Sequence, residues 1–314
     1  MKVYRNLDEF IAPAFPVVTI GAFDGLHLGH RKILSRLKEL SNKHKGESVV
    51  VTFWPHPRMV LLADASVKLL SSLEEKIDLI EATGIEHLII IPFTKDFSET
   101  TSQKFLNDIL INTLKTKMLV IGYDHKFGKN REGSFDYLKE NASQFGFQVE
   151  EISRQDIEDM AISSTAIRES LAESDVKKAS EFLGRYYSVR GTVTEGKKLG
   201  RTIGYPTANI LVKDYEKLLP GDGIYAVRVK VENKSYNGML SLGNNPTVPG
   251  KGRSMEVHIF DFSDNIYFKN IEVFFIDYLR KEEKFSSLEA LTAQLKQDEI
   301  NSQRILASIS TKIQ

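Results

Sequence analysis

His27 and His30 stand three residues apart at the end of a glycine-rich turn, in VVTIGAFDGLHLGH from Val17 to His30. Imidazoles at that spacing share one face of a helical turn and can donate to phosphate oxygens. The continuous apolar run Val17–Ile20 precedes the turn, and Ile33, Leu34, Leu37 and Leu40 follow it at helical spacing. A strand, a tight turn and a helix start aim backbone N–H groups and the positive helix end at one point, which makes an anion site. Gly21, Gly25 and Gly29 let the backbone approach a phosphate with no side chain between. Zinc is the poorer reading, because two histidines lack the third and fourth ligands. His56 lies between prolines in Trp54-Pro55-His56-Pro57 and reads as part of a rigid loop.

Two further clusters carry chemistry. In Ile162-Ser163-Ser164-Thr165-Ala166-Ile167-Arg168, hydroxyls stand at a helix start with an arginine one turn later. Capping accounts for the hydroxyls; the position of Arg168 allows its guanidinium to reach phosphate oxygens. Gly196–Asn209, GKKLGRTIGYPTAN, combines Gly196, Gly200 and Gly204 with Lys197, Lys198 and Arg201. Such a basic loop can wrap nucleotide phosphates. Thr207 and Asn209 share one side of an extended backbone and offer hard oxygen atoms suited to Mg²⁺. The same stretch also reads as a glycine-rich hairpin with an Asx turn.

These residues need elements to position them. Val17–Ile20, Val49–Phe53, Leu88–Ile91 and Met118–Ile121 are too continuously apolar for half-exposed strands, and a fifth strand lies near Phe147–Ile152. Helix starts fall between them at Ser72-x-x-Glu75 and Thr100-x-x-Gln103, and after Gly133. Gly84 can end the first of these helices. This alternation predicts an open α/β sheet with ligands at the C-terminal strand ends, where the His-Leu-Gly-His turn falls. After a short helix at Asp175–Leu183 the pattern becomes β. Ile224–Glu232 alternates, with Val227, Val229 and Val231 on one face and Arg228, Lys230 and Glu232 on the other. Tyr236–Leu242, Met255–Phe260 and Ile271–Phe275 add strands, which favours a small antiparallel barrel. A last helix is predicted from Ser286-x-x-Glu289, with Leu288, Leu291 and Leu295 facing inward. The junction falls at Gly184-Arg185, giving domains 1–184 and 185–314.

Composition narrows the class. The 314 residues carry 42 basic and 42 acidic side chains, so no net charge draws the chain to nucleic acid or an anionic membrane. No cysteine is present, which removes disulfides and thiolate chemistry and suits the cytoplasm. Asp8 and Glu9 argue against a signal peptide, and no apolar run approaches the roughly 20 residues of a membrane span. There is no GxGxxG for a dinucleotide. Gly122–Asn130, GYDHKFGKN, is one residue too long for a P-loop and ends in Asn130 where Ser or Thr belongs.

His27-Leu28-Gly29-His30 resembles the HxGH signature of the nucleotidylyltransferase superfamily, which transfers a nucleoside monophosphate from a triphosphate. With Gly21-x-Phe23-Asp24-Gly25 it resembles the adenylyltransferase part of the bifunctional bacterial riboflavin kinase/FAD synthetase family. Ile162–Arg168 resembles that family's second ATP motif. Val51-Thr52-Phe53-x-Pro55-His56-Pro57 and Gly122-Tyr123-Asp124-His125-x-Phe127-Gly128 resemble its flavin-side loops, departing at Trp54 and His125. Gly200–Asn209 resembles the riboflavin kinase signature ending in Pro-Thr-Ala-Asn. Tyr187–Gly191, Gly223-Ile224-Tyr225, Gly243–Thr247 and Tyr278–Phe285 match further blocks, and Met255-Glu256-Val257-His258-Ile259 matches the block of the family's catalytic glutamate.

The resemblance implies a Rossmann-like HxGH domain and a riboflavin-kinase barrel with a terminal helix. It implies riboflavin, FMN and ATP as substrates, with Mg²⁺. For adenylyl transfer it implies Gly21, Phe23, Asp24, Gly25, His27, His30, Ser163, Ser164, Thr165 and Arg168. The implied kinase ATP site is Gly196, Lys198, Gly200, Arg201, Gly204, Thr207 and Asn209, with Thr207 and Asn209 on the metal. Glu256 is the implied base, and Asp124, Phe127, Glu256 and Arg280 the flavin contacts. Another HxGH enzyme is the second reading; an aminoacyl-tRNA synthetase relative would also need a KMSKS-like motif, which is missing. A flavin-sensing regulator is the third, disfavoured by zero net charge and the lack of a DNA-binding motif.

Overall fold

The computed structural model describes residues 1–62, 67–123, 126–152, 162–196, 199–243 and 253–309. The chain divides into two compact units, Met1–Ser164 and Thr165–Gln314.

The first unit is built on six parallel strands: β1 (Lys2–Tyr4), β2 (Pro16–Ile20), β3 (Glu47–Trp54), β4 (His87–Pro92), β5 (Met118–Gly122) and β6 (Gln148–Ile152). Their order is β1-β4-β3-β2-β5-β6. Alternate residues feed two cores. Val18, Ile20, Val49, Val51, Leu119 and Ile121 face one layer, while Val17, Val50, Leu88, Ile90 and Val120 face the other. This is why the strands read as continuously apolar. Helix α1 (Leu28–Lys43) buries Leu34, Leu37 and Leu40 in the second layer, each side chain worth about 1.5–3 kcal/mol. The chain passes from β2 to β3 on one side and later places β5 on the other. The turn after β2 therefore lies at the switch point where open α/β sheets bind ligands.

Some local details depart from expectation and others match it. The short β1 pairs with β4 from Lys2–Tyr4, a segment too brief to show periodicity. Helix α2 (Pro57–Leu62) replaces the rigid loop, since proline is well placed at a first helical position. Helix α3 (Leu73–Glu81) carries the expected capping box: Ser72 Oγ accepts from Glu75 N–H, and Glu75 accepts from Ser72 N–H. The helix expected from Thr100 is capped by Thr101 instead and runs into a π-helical stretch at Phe105–Thr113. Helix α4 (Phe135–Phe145) follows Gly133 and is capped by Ser134.

Helices α5 (Ser164–Ala172) and α6 (Val176–Leu183) lead into the second unit's barrel. Its strands are β7 (Tyr187–Thr194), β8 (Ala208–Leu211), β9 (Gly223–Val231), β10 (Lys234–Gly243), β11 (Ser254–Ile259) and β12 (Asn270–Arg280). They close in the order β10-β11-β8-β7-β12-β9, with every pair antiparallel. The terminal helix α7 (Leu288–Ala307) is capped by Ser287, one residue later than expected. It packs Leu306, Leu295 and Ile305 against Ala226, Met239 and Ile276 on the outer wall. That covering corrects the reading of β9. Arg228 is buried rather than solvated, donating to the Leu306 and Ile309 carbonyls at the end of α7. Leu288, expected inward, is 64 % exposed at the start of α7.

Candidate active sites

The first site starts from how the turn after β2 is held. Asp24, buried, accepts from the backbone N–H groups of Leu70 and Ser71 at 3.0 and 3.1 Å. Ser71 Oγ accepts in return from Gly25 N–H at 3.1 Å. Gly25 has φ +77°, and a Cβ there would meet Leu70 Cβ at 2.8 Å, so both conformation and packing demand glycine. A Cβ at Gly21 would lie 3.0 Å from the Phe23 ring. Internal packing thus explains these glycines independently of any phosphate.

His27 is itself the N-cap of α1: its Nδ1 accepts from His30 N–H at 3.3 Å. The neutral ring then carries its proton on Nε2. The two imidazoles stack with centroids 3.6 Å apart and planes 17° apart, and Phe23 meets His30 edge-on at 5.3 Å. The Nδ1 of His30 is enclosed without a hydrogen-bond partner among the described residues. Burial, then the charges of His27 and Lys76, hold its pKa well below the usual 6.5. His30 is therefore neutral at pH 7 in the free protein. Ser164 Oγ donates to the Asp24 carbonyl at 3.2 Å, so this one hydroxyl of the second motif meets the turn within the first unit. Arg168 stands one turn further along α5.

Lys76 is a buried charge of this unit that the sequence did not announce. It lies in α3, is 1 % exposed, and its Nζ sits 5.5 Å from the centre of the Trp54 ring. Burial lowers its pKa to about 8, against an opposing pull from Asp24. A lysine inside an amphipathic helix reads as a solvated position, so only the tertiary packing reveals it.

The second site lies on the outer wall of the barrel. Along β11, Met255, Val257 and Ile259 are buried while Glu256 and His258 are less covered. Glu256 pairs in register with Asn209 of β8. Thr207 Oγ1 donates to Glu256 Oε2 at 3.2 Å. The proton on His258 Nδ1 points to the Pro206 carbonyl at 2.8 Å. Gly196 is required by Asn209: a Cβ there would lie 2.2 Å from the Asn209 Nδ2.

Two cavities meet at Thr207. One, of about 410 Å³, has Glu256 and His258 on one wall and Leu291, Leu295 and Asp298 of α7 on another. The other, of about 480 Å³, is lined by Arg201, Pro206, Thr207, Ala208 and the loop from Phe262 to Tyr267. Gly200, expected on the nucleotide, lines the first. Arg280, expected on the flavin, is held by Asp298 through Nε–Oδ1 and Nη2–Oδ2 contacts of 2.9 and 2.7 Å; Asp298 is the partner that lines the cavity. Gly204 makes a turn at φ +85°. Phe127 is buried against Phe105 and Tyr137. Asp124, His125, Lys197, Lys198 and residues 244–247 lie outside the described residues. Sequence reasoning missed Ser241, which joins Glu282, a residue of the matched Tyr278–Phe285 block, at 2.8 Å on the first cavity's wall. It assigned Leu291 and Leu295 to ordinary packing, although their spacing was visible.

A switch-point turn that stacks two histidines in one unit, and a barrel wall that sets a carboxylate and a hydroxyl between two cavities in the other, are the two arrangements suited to group-transfer chemistry, and the family matches give the class as a transferase of two catalytic parts. The FAD synthetase family matches residues 12–166 and the riboflavin kinase family residues 183–306. A bifunctional riboflavin kinase/FMN adenylyltransferase of Haemophilus influenzae is 39 % identical, over 90 % of this chain and 91 % of its own. The Escherichia coli K12 protein of the same name is 35 % identical over 90 % of each. The chain belongs to the bifunctional riboflavin kinase/FMN adenylyltransferase family. A crystal structure from Streptococcus pneumoniae, named a macrolide-efflux protein, superposes with a TM-score of 0.87 at 32 % identity, covering 96 % of this chain and 98 % of that one. That name describes that protein. No helix among the described residues here is long and apolar enough to cross a membrane.

Proposed function

We propose that the barrel phosphorylates the ribityl 5′-hydroxyl of riboflavin with ATP, and that the α/β unit joins the resulting FMN to AMP, giving FAD and pyrophosphate. The observation that carries the kinase half is the Thr207–Glu256 hydrogen bond at the junction of the two cavities. The α7-covered cavity, apolar with a few polar groups, suits a flavin; the Arg201 cavity suits the nucleotide. Glu256 takes the hydroxyl proton as the oxygen attacks the γ-phosphorus and ADP leaves. Gly196, Lys198, Gly200, Arg201 and Gly204 form the loop around the triphosphate.

Thr207 and Asn209 would hold Mg²⁺ together with the ATP phosphates. Their neutral oxygen atoms fit a cation bound largely through its substrate. Among the described residues no cluster of three or more His, Cys, Asp or Glu offers an all-protein site. Because Thr207 donates its hydroxyl proton to Glu256, its oxygen lone pairs remain to face a cation. When bound, Mg²⁺ supplies charge neutralisation on the transferring phosphoryl group.

In the α/β unit an oxygen of the FMN phosphate attacks the α-phosphorus of ATP, and the bond to the β-phosphate breaks. The nucleophile is already ionised, so the requirement is to spread negative charge. His27 through Nε2–H, His30 once protonated against the triphosphate, Arg168 and the α1 N–H groups meet it. Ser163, Ser164 and Thr165 grip the phosphate tail. Gly21, Phe23, Asp24 and Gly25 shape the turn, with Asp24 as its brace. Asp124, Phe127, Glu256 and Arg280 serve the flavins, Phe127 by footing its loop and Arg280 by orienting Asp298. The catalytic modules are residues 1–184 and 185–314, in the cytoplasm. Incubating the chain with riboflavin, ATP and Mg²⁺ and separating the flavins tests the reading: FMN and then FAD should accumulate, and failure to form either product removes the corresponding half.

A further inference from the structure

Lys76 holds a buried ammonium with no direct hydrogen-bond acceptor among the described residues. The Trp54 ring 5.5 Å away offers a cation–π contact, which is weak beside the cost of stripping water from an ammonium. Asp24 supplies the opposing charge that Lys76 feels, yet that carboxylate accepts from Leu70 and Ser71. A pKa of about 8 still leaves the ammonium mostly protonated at pH 7. A methionine would fill the same space without this penalty.

The position is fixed rather than incidental. The Asp24 brace fastens residues 70 and 71 to the histidine turn, and the Ser72–Glu75 capping box starts α3 directly afterwards. Lys76 follows in the next residue, close enough for its charge to help depress the His30 pKa. A buried ammonium without an acceptor among the described residues, in the helix that follows directly on the segment braced to the histidine turn, is arranged for an anion that arrives from outside.

We propose that Lys76 is a further phosphate-contacting residue of the adenylyltransferase site, its ammonium donating to a phosphoryl oxygen that enters beside His30. This rests on the adenylyl-transfer reading of that site. Two substrates carry the required chemistry, the triphosphate of ATP and the phosphate of FMN. In either case the ammonium would reduce repulsion as the two anions approach.

The test uses the full chain and Lys76→Met. Trp54 is the sole tryptophan of the sequence, so its emission reports this unit alone. Lys76→Met should fold with an unchanged or higher Tm, form FMN at the wild-type rate, and form FAD roughly 10- to 100-fold more slowly, as expected for one lost charge-assisted hydrogen bond. Emission titrated with pyrophosphate and separately with FMN identifies the source: weakened pyrophosphate binding assigns the nucleotide, weakened FMN binding the flavin phosphate. Wild-type FAD formation and wild-type binding of both probes in the variant would overturn the proposal, as would equal loss of both activities in a folded variant. Should the variant not fold, wild type decides: it must show a saturable emission response to one probe, and no response in a protein that makes FAD refutes the assignment. A wild-type protein that makes no FAD refutes the underlying reading instead.

Discussion

The Nδ1 of His27 caps the helix on which His30 rides, and the two rings stack 3.6 Å apart. On the proposed adenylyl-transfer role, one imidazole combines a structural duty with a chemical one, on different nitrogen atoms. Asparagine can serve as the cap but lacks the outer N–H at that distance. His27→Asn should keep wild-type stability and lose FAD formation, whereas His27→Ala should also lose about 1 kcal/mol of stability. Denaturant midpoints and flavin chromatography on both variants check this split.

His30→Ala should abolish FAD formation and spare FMN formation, because the kinase residues lie in the other unit. Flavin products from riboflavin and from supplied FMN measure each half separately. Equal loss of both in a folded variant counts against the assignment.

His30 also predicts a pH dependence. Its folded pKa lies well below 6.5, so on acidification from about pH 6.5 the unfolded chain takes up a proton that the folded chain refuses. Stability attributable to this group is complete above that pH and falls as the pH drops toward the folded pKa. His30→Gln removes this contribution. The difference in unfolding free energy between wild type and variant should be flat above pH 7 and change in the variant's favour below 6.5; a flat difference throughout would show that burial of this ring carries no proton penalty.

At the barrel, Glu256→Gln should slow phosphorylation of riboflavin by about 10²–10⁴-fold, the usual weight of a general base. Thr207→Ala and Asn209→Ala should raise the Mg²⁺ concentration needed for half-maximal kinase rate. All three should still convert supplied FMN to FAD. An unchanged Mg²⁺ requirement removes Thr207 and Asn209 from the metal.

The family match to the kinase begins at residue 183, whereas the compact second unit begins at Thr165. Between them, α6 buries Val176, Ala179 and Leu183, Lys177 bridges Asp277 at 2.6 Å, and Gly221 N–H bonds the Leu171 carbonyl. Fragments 165–314 and 185–314 should both phosphorylate riboflavin, the longer one with a higher Tm. A shorter fragment that is inert beside an active longer one moves the boundary to Ser164.

The sequence disclosed those features that repeat locally. Val49–Phe53 and its neighbours are buried on both sides, so their composition alone announced the sheet. Ser72 and Glu75 cap α3 because a capping box is a four-residue affair. Arg228 failed for the opposite reason: its alternation with Val227 and Val229 is correct for the strand, but α7 arrives from far along the chain to cover the outer face. That helix also places Asp298 and two of its leucines at the Glu256 cavity, and in the other unit it is separate tertiary packing, with Trp54 nearby, that encloses Lys76. The histidine turn and the Pro-Thr-Ala-Asn run were readable because their chemistry is contiguous; their surroundings were not.

Along β11 the side chains divide their labour by parity. Met255, Val257 and Ile259 fill the inside of the barrel, and Glu256 and His258 look out over the cavity. Val257 and Ile259 also line the Arg201 cavity, so this strand borders a different cavity on each of its faces. Met255, which lines neither, is the position where the wall can be repacked for heat resistance without reaching either cavity, so long as the register of the strand is kept.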